Sequence, residues 1–168
     1  MTDYGLSPSF QAATNLASIE AYLRGLQQPK PQPVSGTVRD AQAFKARLDA
    51  FAEDVKRAGE NWVRRGIGEA FVGLVQSNPV GNPSTWKRPR KGYVGGRSRN
   101  AWQIEVNGVA GREALAALGS IKLGDRISLK NPSPYMEALN RGHSRQAPAG
   151  WIDAVLNRVR AKLAAGGR

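Results

Sequence analysis

The chain has 168 residues, no cysteine and a formal net charge of +12. That length can bury one hydrophobic core without staples, and the lack of cysteine excludes disulfides and thiolate-held metals while fitting a reducing cytoplasm. No run of about 18 apolar residues is present to span a membrane, and the opening "MTDYGLSPSF" lacks the basic start and apolar stretch of a secretory signal.

The charge is uneven along the chain. Residues 1–34 hold two basic and two acidic groups, residues 37–76 seven and six, and residues 77–168 sixteen and five. The excess therefore belongs to the second half, as it does in chains that meet a polyanion such as nucleic acid. A basic surface without a ligand is the alternative.

In chain order, "PSFQAATNLASIEAYLRGLQ" (8–27) predicts a short helix, with Phe10, Leu16, Ile19 and Leu23 at helical spacing. Pro29, Pro31 and Pro33 follow in a stretch suited to a semi-rigid linker. Residues 1–34 are thus expected to be an arm, outside the core, that docks its Phe10–Leu16–Ile19–Leu23 face on a neighbouring protein. Residues 35–168 form the main domain.

Residues 37–76 carry a narrow apolar seam. Phe44, Leu48, Phe51, Val55, Ala58 and Trp62 follow each other at alternating steps of four and three. The seam shifts at Gly66 and Gly68 and resumes with Ile67, Phe71, Leu74 and Val75. A continuous helix here is a rod of roughly 60 Å, long enough that part of its seam should meet another chain. A bend at the two glycines, folding both halves onto one core, is the alternative.

Residues 77–100 are too rich in Gly and Pro for regular structure. They hold Lys87, Arg88, Arg90, Lys91, Arg97 and Arg99, no acid, and the aromatics Trp86 and Tyr93. This composition suits phosphate contact and stacking on bases. No base-reading motif accompanies it, so any nucleic-acid contact would be non-specific. A solvated loop remains the plain reading.

"AWQIEVN" (101–107) alternates as a half-buried strand, and "DRISLKN" (125–131) does so again. The two are expected to pair antiparallel, with "REALAALGSI" as a helical excursion between them. "WIDAVLNRVRAKL" (151–163) predicts an amphipathic C-terminal helix. The sum is an α+β fold with a long N-terminal helix and a C-terminal helix packed on one face of a small antiparallel sheet.

His143 is the single histidine. Catalysis or metal binding through it needs partners, and no nucleophile pattern, ligand set, P-loop or dinucleotide fingerprint is present. The expected catalytic, cofactor-binding and metal residues are none, and the protein is expected not to be an enzyme.

Two segments carry a family resemblance. "GGRSRNAW" (95–102), running into a strand, resembles the "TGRLRNSW"-like segment of the phage neck, or tail-completion, protein family (lambda tail-completion protein Z-like). "NPSPYMEALNRGHSRQAPAGWIDAV" (131–155) resembles that family's second signature, with Tyr135, Gly142, Ser144, Gln146, Ala147, Pro148 and Gly150 filling the pattern. The likeness spans roughly residues 37–165. Gly95-Gly96 stands where Thr-Gly is commoner, Ser98 replaces an apolar residue, Asn140 takes the place of an acid, and residues 1–34 have no counterpart.

The resemblance implies a structural virion protein at the head–tail junction, assembled in the bacterial host cytoplasm. It implies a homo-oligomeric ring, a hexamer, through which genomic DNA passes. The implied partners are the connector or head-closure protein and the tail terminator or tail tube protein, with no membrane. The segment 131–150 would be a structural turn into the last helix. A non-specific DNA- or RNA-binding accessory protein and a tail terminator ring are the competing functions.

Overall fold

The computed structural model describes residues 8–26, 41–82, 84, 95–111 and 113–166, with side chains from residue 16 onward in the first segment. The expected Pro29–Pro33 linker, the loop residues Lys87, Arg88, Arg90 and Lys91, and the Phe10 side chain lie outside what is described.

The seam of residues 37–76 folds as one helix. Helix α2 runs unbroken over Ala41–Ser77, 37 residues, or about 55 Å. Gly66 and Gly68 do not interrupt it. They let two other helices approach, α1 (Pro8–Gly25) and α5 (Trp151–Gly166). A Cβ added at Gly68 would stand 2.7 Å from Leu23 Cδ2, and one at Gly66 would stand 2.9 Å from Leu163 Cδ1. These are distances that real Cβ atoms do not tolerate, so the small residues set how closely the helices pack.

Helix α1 corrects the expectation of an arm outside the core. Ile19 and Leu23 are buried in the main cluster, beside Phe71, Val75, Ile104, Leu118 and Ile121, and Leu16 packs against it. The Leu16, Ile19 and Leu23 part of the face expected to dock on a neighbour is covered by this chain. A marginal isolated helix needs an apolar partner surface, and α2 and α3 (Ala114–Ser120) supply one here.

The sheet is antiparallel and three-stranded, in the order β2–β1–β3. Strands β1 (Gln103–Val106) and β3 (Ile127–Lys130) pair as expected, with Ile104 opposite Leu129 and α3 between them in the chain. A short strand β2 (Val109–Ala110) lengthens the sheet. Asn107 and Gly108 make its two-residue turn, both at positive φ (53° and 83°), where Asn and Gly cost least.

Helix α4 (Met136–Asn140) lies inside the Pro-rich turn, and α5 then packs on α2. A second cluster of Leu74, Met136, Ala147, Trp151 and Val155 fills that contact, and Trp102 and Leu129 touch both clusters. The result is an α+β fold in which the helices cover one face of a small sheet.

Candidate functional site

The two segments singled out in the sequence meet at the carboxy-terminal end of α2. Asn78 is the hub, 1% exposed. Its Nδ2 donates to Ser98 Oγ at 2.7 Å and to the Pro79 carbonyl at 3.2 Å, and its Oδ1 accepts from Trp102 Nε1 at 3.3 Å. Asn131 Nδ2 donates to the Ser98 carbonyl at 2.7 Å. A buried amide must satisfy its donors and its acceptor, and here Pro79 and the 95–102 segment supply the partners, while Asn131 ties the second segment to Ser98. Ser98 thus supplies a hydroxyl that Asn78 uses.

The turn of 131–150 is tied down at several points. Asn140 Oδ1 accepts from the Ile152 N–H at 3.1 Å, in the first turn of α5, and its carbonyl accepts from the Gly150 N–H at 2.7 Å. Asn140 therefore offers that helix end the same kind of oxygen that an acid would. Gln146 Oε1 accepts from the Val80 N–H at 2.9 Å, and Ser144 Oγ accepts from the Gln146 N–H at 3.2 Å. Gly142 and Gly150 hold positive φ (86° and 75°), and Tyr135 is partly exposed. His143 is exposed, and its ring has no hydrogen-bond partner among the described residues. Among those residues no three His, Cys, Asp or Glu side chains gather to hold a metal ion.

Only two of the six loop cations are described. Arg97 is exposed. Arg99 sits in a short 3-10 turn (Arg99–Ala101) and is half-buried. Its Nη2 donates to the Asn78 carbonyl at 3.0 Å and to the Gln76 carbonyl at 3.4 Å. Arg99 therefore caps the negative end of α2, a role the charge pattern alone did not reveal.

Beside this hub lies a cavity of about 420 Å³. Its walls include Asn78, Arg99, Gln146, Trp151 and Arg158, and among the described residues no carboxylate lines it. Trp151 is 3% exposed and stands edge-on to Trp102, with ring centres 6.4 Å apart. Among the described residues neither Trp151 Nε1 nor Arg99 Nε, both buried, meets an acceptor. Leaving such a donor unmet costs about 1–3 kcal/mol.

The second candidate surface is the amino-terminal half of α2. Phe44, Leu48, Phe51, Val55 and Trp62 are each 38–46% exposed, and every residue from 41 to 53 is exposed. These are the seam residues at four-and-three spacing, so the stripe forms as expected and nothing described in this chain covers it. Residues 41–62 carry four basic and four acidic side chains. Lys45–Asp49, Lys56–Glu53 and Arg57–Asp54 pair along the helix surface. A charge-balanced apolar stripe suits a protein surface better than a nucleic acid.

No protein-family model, curated protein or solved structure matches this chain.

Proposed function

We propose that the chain is a structural subunit of a bacteriophage neck, one that meets copies of itself in a ring and joins tail to DNA-filled head. The observation that carries this reading is the exposed seam of α2. Five large apolar side chains at coiled-coil spacing, on a helix that outruns its own core, need a covering surface. A second copy is the occupant that charge favours. Residues 41–62 are neutral, so two such segments approach without the repulsion that the basic second half of the chain would impose. The resemblance of residues 95–102 and 131–155 to neck-protein signatures supports the neck as the place of assembly. Exposed Arg97, with the neighbouring basic residues of the loop, suits weak non-specific contact with the passing genome.

Sedimentation of the purified protein tests the self-association. A closed oligomer is expected, and Leu48→Glu should reduce it to monomer without lowering the melting temperature. A wild-type protein that stays monomeric at high concentration overturns the ring. Immunogold labelling of particles tests the location, with label expected at the head–tail junction. Label confined to the unassembled soluble fraction overturns the neck assignment.

A further inference from the structure

Given the second copy proposed above as the occupant of the α2 seam, we infer that the two helices run antiparallel over residues 41–58, related by a twofold axis between Asp49 and Ala50. In that register Phe44 faces the partner's Val55, Leu48 faces the partner's Phe51 and Ala41 faces the partner's Ala58, so each ring meets a smaller side chain. Residues 41–57 are exposed except half-covered Asp54, and that is the length of helix such a pair would use. From Val63 onward the same helix is taken up by its own core.

Charge fixes the direction. The side chains that flank the seam one place before Leu48 and Val55 are Arg47 and Asp54. Antiparallel seams bring these flanking positions of the two helices together, so Arg47 meets the partner's Asp54, and the twofold repeats the pair. Arg47 has no acid to pair with on its own helix, since positions 43, 44, 50 and 51 are Ala, Phe, Ala and Phe. Lys45, Lys56 and Arg57 by contrast pair locally. On the opposite flank Lys45 faces the partner's Ala52, and no like charges meet. A parallel pair over the same residues sets Arg47 against Ala52 and Asp54 against Gly59, with no attraction at either place. Exposed ion pairs add little affinity, but they decide between two otherwise similar apolar contacts.

The rest of the chain favours the same direction. Residues 77–168 hold sixteen basic and five acidic groups, and the elements they form pack on the carboxy-terminal half of α2, around Phe71, Leu74 and Val75. A parallel pair would set the two basic bodies side by side. An antiparallel one places them beyond opposite ends of an overlap about 27 Å long, well over the screening length of about 8 Å at physiological salt. A twofold contact closes with two copies, so a ring built through it takes up subunits in pairs and joins the pairs through another surface.

The chain has no cysteine, so introduced ones report contacts without background. Full-length Phe44→Cys and Val55→Cys, both at exposed positions, are mixed and equilibrated in a glutathione redox buffer, and the covalent pairs are identified by mass. The mixed disulfide is expected to dominate severalfold, because like positions lie about 16 Å apart along an antiparallel pair. Dominance of the like-with-like disulfides overturns the direction. Sedimentation of charge variants checks the register. Arg47→Glu should weaken association severalfold, and Arg47→Glu combined with Asp54→Arg should restore it. An undiminished association in Arg47→Glu, or a double variant that restores nothing, overturns the Arg47–Asp54 pairing. Oligomers that form neither kind of disulfide overturn the twofold contact and leave self-association standing, whereas a wild-type chain that stays monomeric removes the self-association itself, and the contact with it.

Discussion

Leu23 of α1 occupies the space that any side chain at Gly68 of α2 would need, with its Cδ2 only 2.7 Å from a Cβ built there. The pair fastens the first helix to the core. Gly68→Val should destabilise the protein by about 1–3 kcal/mol through overpacking. Leu23→Ala should cost about 2–5 kcal/mol on its own. The double variant should be less damaged than the two losses added together, because the shortened side chain makes room. Denaturant titrations of the four proteins measure this coupling, and strict additivity would mean that the helices do not meet there.

Arg64 closes the other side of the core. Its Nε and Nη2 donate to the Ile121 carbonyl at 3.1 and 2.6 Å, and Nη2 also donates to Glu60 Oε2 at 3.0 Å. Ile121 is fully buried. Arg64→Ala should therefore cost about 1–3 kcal/mol, since it leaves that carbonyl unmet. Chemical denaturation reads the loss, and Arg64→Lys should recover part of it.

Asp125 ties the hairpin turn to the start of β3. Its Oδ2 accepts from the Lys122 N–H at 2.7 Å and its Oδ1 accepts from Asn107 Nδ2 at 2.8 Å. The Lys122 backbone bond, then the Asn107 bond, hold its carboxyl below the ordinary 3.8 against a small opposing effect of burial. A depressed folded pKa adds stability that is complete above 3.8 and is lost as pH falls through the folded value. In thermal melts from neutral pH downward, the gap between wild type and Asp125→Asn should hold steady until that region and then close.

Asn140 and His143 should behave in opposite ways. Asn140→Ala removes the acceptor for the Ile152 N–H and should cost about 1 kcal/mol, whereas Asn140→Asp should keep the stability. His143→Ala should leave both the melting temperature and the oligomeric state unchanged, since its side chain is exposed. Calorimetry of the three variants separates a structural turn from one organised around the imidazole.

Periodicity made α2, β1, β3 and α5 legible in the sequence, because each buries one face and repeats its apolar residues accordingly. Strand β2 was not expected, because it is only two residues long and carries too little pattern to register. The attachment of α1 was hidden for a different reason. Three prolines separate it from α2, and local sequence does not report that Leu23 returns to Gly68. The hub was equally hidden, since Asn78 takes its partner Ser98 from 20 residues away. Arg99 looked like one more loop cation until the carbonyls of α2 gave it a place.

If α2 is the self-association surface proposed above, its free stretch ties folding to assembly. Residues 41–53 are all exposed among the described residues, so intrinsic propensity and surface polar contacts such as Lys45–Asp49 carry much of their helix in the lone subunit. Their amides should exchange with solvent deuterium rapidly, while those near Phe71 and Leu74 are protected. In the oligomer the same amides should become slow, and the change should begin near Trp62 and fade toward Ala41 if only part of the stripe is covered. Part of the contact free energy would then order the helix, and affinity could be adjusted by alanine or glycine substitutions on the polar face of α2, without altering any residue that touches the partner.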